Sequence, residues 1–194
     1  MADELRGQLL VAAPSLLEPN FARTVVAVLD HSAEGALGVV LNRPSDVPVL
    51  DILPSWHGLA APPALVHVGG PVSPSAAICI ARSGAVIPAV GFAPLPAAAA
   101  VGDAAPGALG TVDLEADPDD LGRYLDALRI YAGYAGWAAG QLDAEVDNQD
   151  WFVLPAQPSD YFSADPARLW PSVLRRQRGA LALLATMPLD PRMN

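Results

Sequence analysis

Two apolar runs, TVVAVLDH at 24–31 and ALGVVL at 36–41, place the tightest constraint on what this chain can fold into. Both are rich in β-branched residues and nearly continuous in apolar character, the pattern of central strands covered on each face. Four residues, Ser32-Ala33-Glu34-Gly35, separate them and end in glycine, which predicts a hairpin. A hairpin buried on both sides needs covering layers. The 194 residues, 52% hydrophobic and 16% charged, supply them within one domain over 1–194 and exclude wholesale disorder. Twenty prolines and sixteen glycines exclude a plain helical bundle.

Around the hairpin, residues 8–12, 65–68, 76–81, 111–115, 128–134 and 151–154 read as further strands, and 49–53 as a helical turn before Pro54. Asp117-Pro118-Asp119-Asp120 joins an N-cap aspartate to proline at the first helical position, with carboxylates in the positive first turn. Asp165-Pro166 repeats that signal for a helix reaching about Gln177, and a third helix is predicted over 137–147. Residues 93–110 are rich in alanine, proline and glycine and read as a long surface loop, and 188–194 as a flexible tail. Strands and helices in irregular order favour α+β over an alternating parallel sheet.

Composition removes whole classes of chemistry. All eleven cationic side chains are arginine, so no lysine serves Schiff-base or phosphate chemistry. A net charge of −10 is a poor footprint for direct DNA binding. The lone Cys79 has no disulfide partner, the start of the chain lacks a signal-peptide pattern, and no run is apolar enough for a membrane span. A cytoplasmic protein without membrane attachment is expected. His31, His57 and His67 show no metal spacing, and neither a GxSxG elbow nor another nucleophile motif occurs. No catalytic residue, metal or cofactor is therefore assigned.

Two constellations remain. In an unbulged hairpin His31 faces Ala36, Leu29 faces Gly38, Val25 faces Asn42 and Thr24 faces Arg43, which gathers Arg23, Asn42 and Arg43 at the end away from the turn. His31 then lies about 23 Å from that end at strand rise. Two guanidinium groups beside a carboxamide suit a phosphate or carboxylate. Three charge-assisted bonds of about 1.5–3 kcal/mol each, less ordering costs, give only weak binding of a small anion. Capping of the open end of the hairpin, or pairing with some of the chain's many carboxylates, explains the same residues without a ligand. The second constellation, Gly133-Tyr134-Ala135-Gly136-Trp137 followed by Gln141, reads as a strand-to-helix turn whose backbone N–H groups can approach an anion. It matches neither GxGxxG nor GxxxxGK[ST], and tight packing round Trp137 is the competing explanation.

The segments 7–44 (GQLLVAAPSLLEPNFARTVVAVLDHSAEGALGVVLNRP), 67–72 (HVGGPV), 129–155 (RIYAGYAGWAAGQLDAEVDNQDWFVLP) and 169–177 (LWPSVLRRQ) together resemble the AlgH (YqgE) family of small bacterial proteins. The resemblance runs from about residue 7 to about 188. It implies a mixed, largely antiparallel, barrel-like β core with three to four helices packed outside, and a regulator label that is not tied to a reaction. The family's recurrent positions fall on Asn20, Arg23, His31, Asn42, Arg43, Gly69, Gly70, Gly133, Tyr134, Trp137, Gln141 and Glu145, while 76–110 departs most. The leading expectation is a binding or regulatory protein, not an enzyme. It would engage an unknown protein partner or small anionic ligand through Asn20, Arg23, Asn42 and Arg43, with Gly69, Gly70, Gly133, Tyr134, Gly136, Trp137 and Gln141 adjoining. The alternative is an enzyme or nucleotide-binding protein using the same two constellations in one pocket.

Overall fold

A computed structural model describes residues 5–84, 91–95 and 107–187. In chain order the elements are β1 (Gln8–Ala12), β2 (Val25–Ser32), β3 (Gly35–Val40), β4 (Pro44–Pro48), α1 (Val49–Ile52), β5 (Leu65–Val68), β6 (Val72–Ser83), β7 (Phe92–Pro94), β8 (Leu109–Val112), α2 (Pro118–Leu121), β9 (Leu125–Ala138), α3 (Gln141–Asp147), β10 (Trp151–Pro155), α4 (Pro158–Tyr161), α5 (Leu169–Arg175) and α6 (Ala180–Leu184). 3-10 helices occupy Pro54–Leu59, Gly122–Tyr124 and Pro166–Arg168. The fold is α+β: a largely antiparallel sheet, ordered β10-β1-β2-β3-β9-β6-β8-β7, curls into a half-barrel with the helices outside it. The helices are shorter and more numerous than the expected three to four.

The two apolar runs are central strands, as their composition requires. Val25, Val26, Ala27 and Val28 are wholly buried, and Val39, Val40 and Leu41 nearly so. Alternate side chains of β1 and β2 enter different cores. Leu9, Val11, Val25 and Ala27 pack with α5 through Trp170, Val173 and Leu174. Leu10, Ala12, Val26 and Val28 pack with Trp137, Leu142 and Trp151. Each such buried aliphatic contributes about 1.5–3 kcal/mol. The Trp170 indole N–H also donates to the Ala12 carbonyl at 2.9 Å, tying α5 to β1.

β9 holds the sheet together. Its last residues pair with β3, its body pairs with β6, and Tyr131 and Ala132 pair in parallel with His67 and Val68 of β5. Beyond Gly38 the partner of β3 changes: Val40 N–H donates to the Gly69 carbonyl, while Gly69 N–H donates to Ala132 of β9. The chain at Gly69-Gly70 therefore wedges between β3 and β9. A Cβ on either glycine would run into the backbone of Gly133 or Tyr134, and one on Gly133 would sit 2.6 Å from the Gly70 carbonyl oxygen. Only glycine permits that crossing.

Several expectations need correction. The loop placed over 93–110 is strand at both ends, because Phe92–Pro94 pairs with β8; its middle, and the tail at 188–194, lie outside the described residues. The strand expected at 111–115 lies earlier, at Leu109–Val112. Asp117 does cap, its carboxylate accepting from Asp119 N–H at 2.9 Å, yet α2 is a single turn because β9 starts at Leu125. Asp165 makes no side-chain cap, and a 3-10 turn precedes α5. The helix expected from Trp137 begins at Gln141, since β9 runs to Ala138.

Candidate functional site

The hairpin keeps His31 opposite Ala36 but shifts register between Val28 and Asp30, so Val28 and not Leu29 faces Gly38. Gly38 packs so closely that an added Cβ would lie 2.7 Å from the Ala27 carbonyl oxygen. At the far end Arg23, Asn42 and Arg43 do come together, in altered roles. Asn42 closes the strand ends: its Oδ1 accepts from Val25 N–H and its Nδ2 donates to the Arg23 carbonyl, both at 2.9 Å. Both ends of the amide are thus spent on backbone. Arg43 Nη2 donates to the Ala22 carbonyl at 3.1 Å.

Arg23 is the unusual member. Its backbone is left-handed, φ +59°, which costs a non-glycine residue about 1–2 kcal/mol. Its guanidinium carbon lies 4.3 Å from the centroid of the Trp170 ring, and burial lowers its pKa from the ordinary arginine value. Nη1 is buried and finds no hydrogen-bond partner among the described residues. Cation–π contact stabilises this pose by about 0.5–2 kcal/mol. A donor left buried without an acceptor costs about 1–3 kcal/mol. The two are similar in size and opposite in sign, so the stacked pose is held only weakly. Among the described residues neither Arg23 nor Arg43 meets a carboxylate, whereas Arg82, Arg123, Arg168 and Arg176 each do.

Asn20 lies on the exposed part of the preceding loop, where its Nδ2 donates to Glu18 Oε1 at 2.8 Å. Gly69 and Gly70 follow directly on the segment beside Arg43, because Val68 N–H donates to the Arg43 carbonyl at 2.7 Å. They also meet Gly133 and Tyr134, as described, through backbone crossing. Gly136 lies within β9 opposite Leu37 and leads into no helix, so the expected strand-to-helix turn is absent there.

Trp137 and Gln141 are nonetheless joined, through Glu145 on α3. One oxygen of Glu145 accepts from the indole N–H groups of Trp137 and Trp151, both at 2.9 Å, and the other accepts from Gln141 Nε2 at 2.9 Å. Gln141 Oε1 accepts in turn from Ala138 N–H at 3.0 Å. Phe21 packs against both indoles, with centroid distances of 6.1 and 5.6 Å. Sequence reading missed this carboxylate clamp, although Glu145 follows Gln141 by one helical turn. His31 lies at the turn end of the hairpin, 3.6 Å from Asp143.

A second polar cluster was also missed. Arg129 is 2% exposed in the middle of β9, and Nη1 and Nη2 donate to the carbonyls of Ser163 and Pro62. His67, wholly buried on β5, hydrogen-bonds the Leu65 carbonyl through Nδ1 at 3.0 Å. Burial first, and then the Arg129 charge, push its pKa down to about 4. Cys79 is pushed up to about 12 by burial, which leaves it an unreactive thiol. The described residues hold no group of three or more potential metal ligands, and no described helix is long and apolar enough to cross a membrane. A shallow depression lined by Gly91, Phe92, Ala93, Thr111, Val112 and Asp113 includes none of the residues singled out above.

A family model described as AlgH-like matches residues 9–182. A UPF0301 protein of Streptomyces avermitilis is 50% identical over 197 residues, covering 98% of this chain and 95% of its own length. One from Thermobifida fusca is 47% identical, with 98% and 96% covered. Among solved structures, the crystal structure of a protein from Corynebacterium diphtheriae superposes with a TM-score of 0.84 at 33% identity, covering 94% of this chain and 92% of that one. The solution structure of the AlgH protein from Pseudomonas aeruginosa gives 0.62 at 29%, with 95% and 94% covered.

Proposed function

The chain belongs to the AlgH-like family, and on that premise we propose that it acts by binding and not by catalysis, as a regulatory or adaptor protein of the cytoplasm. Its recognition surface is the rim formed by Arg23 and Arg43, with Asn42 as the brace that holds their strand ends together. One observation carries this reading. In a chain with 21 acidic side chains, two guanidinium groups at adjoining strand ends rest on a ring and a carbonyl, without an acid among the described residues. That arrangement leaves N–H donors free for an acidic group of a partner or a small anionic ligand. Direct DNA binding is not part of the proposal, since a charge of −10 repels a polyanion.

The test is a thermal-shift panel of acidic metabolites together with partner capture, comparing the native protein with the Arg23→Ala/Arg43→Ala double variant. An acidic ligand or partner of the native protein should bind the double variant about tenfold more weakly or worse, as loss of a charge-assisted bond requires. An unchanged set of partners and ligand shifts in a folded double variant refutes the proposal.

A further inference from the structure

The backbone that carries Arg23 is pinned from three sides. The Phe21 ring packs against Trp137 and Trp151, Arg43 Nη2 holds the Ala22 carbonyl, and Asn42 Nδ2 holds the carbonyl of Arg23 itself. On this fixed frame sits a side chain whose Nη1 is buried without a partner among the described residues and whose stacking on Trp170 is weakly favoured. A pinned backbone with a loosely satisfied side chain confines motion to rotation of the guanidinium about its own torsions.

We propose that Arg23 is the gate of an oxyanion site: off Trp170 it turns to join Arg43, and the two guanidinium groups hold one carboxylate or one phosphate group. This rests on the rim reading above and adds the ligand class and the moving part. The ligand class follows from the rings and the charge. Trp170 is wholly buried and stacked under Arg23, and Trp137 and Trp151 are buried against each other, so none of these three indoles offers a free face to a nucleobase. A net charge of −10 opposes polyanions at long range. A single oxyanion meets the least repulsion and keeps the short-range gain from bidentate contact.

The four tryptophan indole N–H groups give four reporters in a proton–nitrogen correlation spectrum of the full chain. Inorganic phosphate and acetate, titrated separately at constant ionic strength, are the probes, and they separate phosphate from carboxylate recognition. The Trp170 signal should move saturably with at least one of them. Trp137 and Trp151, held by Glu145, and Trp56, which packs in a separate core cluster, should stay in place. Arg23→Met should abolish the Trp170 response, and Arg43→Ala should weaken it about tenfold. A Trp170 response that survives in R23M, or one matched at Trp137 and Trp151, overturns the gate. If neither probe binds, the oxyanion site falls; the rim reading falls with it only if the double variant also keeps all its partners.

Discussion

Mild acid tests the interior of the sheet through His67. In the folded protein its pKa is pushed down to about 4, by burial first and then by the Arg129 charge, against the ordinary histidine value of 6.5. Between those two values the unfolded chain takes up a proton that the folded protein refuses. Stability therefore falls as the pH drops below 6.5, and the loss is complete near 4. The slope approaches about 1.4 kcal/mol per pH unit, so the cost at about pH 5 is about 2 kcal/mol, with almost none above about pH 7.5. Ordinary carboxylates titrate mostly below this window. Urea unfolding at the two pH values measures the loss, and His67→Asn, which retains a side-chain N–H for the Leu65 carbonyl, isolates the contribution of the imidazole. The native protein should lose about 2 kcal/mol more than the variant over this interval. Equal losses in the two proteins would show that His67 is not held neutral, and the argument from burial beside Arg129 would be wrong.

Glu145→Ala strands two buried indole N–H groups and should cost about 2–4 kcal/mol in chemical denaturation, with Glu145→Gln falling between it and the native protein because one oxygen acceptor remains. Gly70→Ala drives a Cβ into the Tyr134 backbone at a φ of +156° and should cost more than about 3 kcal/mol, whereas Gly140→Ala, at φ +70° with open space around it, should cost only about 1–2 kcal/mol. Thermal or urea melts of the two alanine variants, run side by side, separate crowding from backbone strain.

The parts of the fold that sequence reading recovered are those set by local pattern. Unbroken β-branched runs marked β2 and β3, and Asp117-Pro118 marked the N-cap of α2, although the helix expected there is a single turn. The failures share a non-local cause. Glycines ordinarily interrupt strands, so Gly133 and Gly136 read as a turn; β9 instead runs through both, with Gly69 and Gly70 crossing at Gly133 and Gly136 paired with Leu37, and nothing near residue 133 reveals that. The extra residue at Leu29 that shifts the hairpin register has no signature in the sequence either. At the candidate site an unbulged pairing put Arg23, Asn42 and Arg43 at one end of the hairpin, but the register shift moves Val25 off Asn42 onto Leu41, and the stacking of Arg23 on Trp170 joins residues far apart in the chain. Arg129 was overlooked for the same reason. A lone charge inside LRIYAGY is visible, but its carbonyl partners at Pro62 and Ser163 are 67 and 34 positions away.

Because Gly35 pairs with Ala138 while β6 and β5 also lean on β9, the order of synthesis matters. A nascent chain can close its β2–β3 hairpin early, yet the outer edge of β3 stays bare until translation has passed residue 138 and β9 has emerged from the ribosome. Most of the polypeptide must therefore wait, unzipped along one margin, for a strand made late. Such long-range closure is slow and leaves an aggregation-prone edge open in the interval.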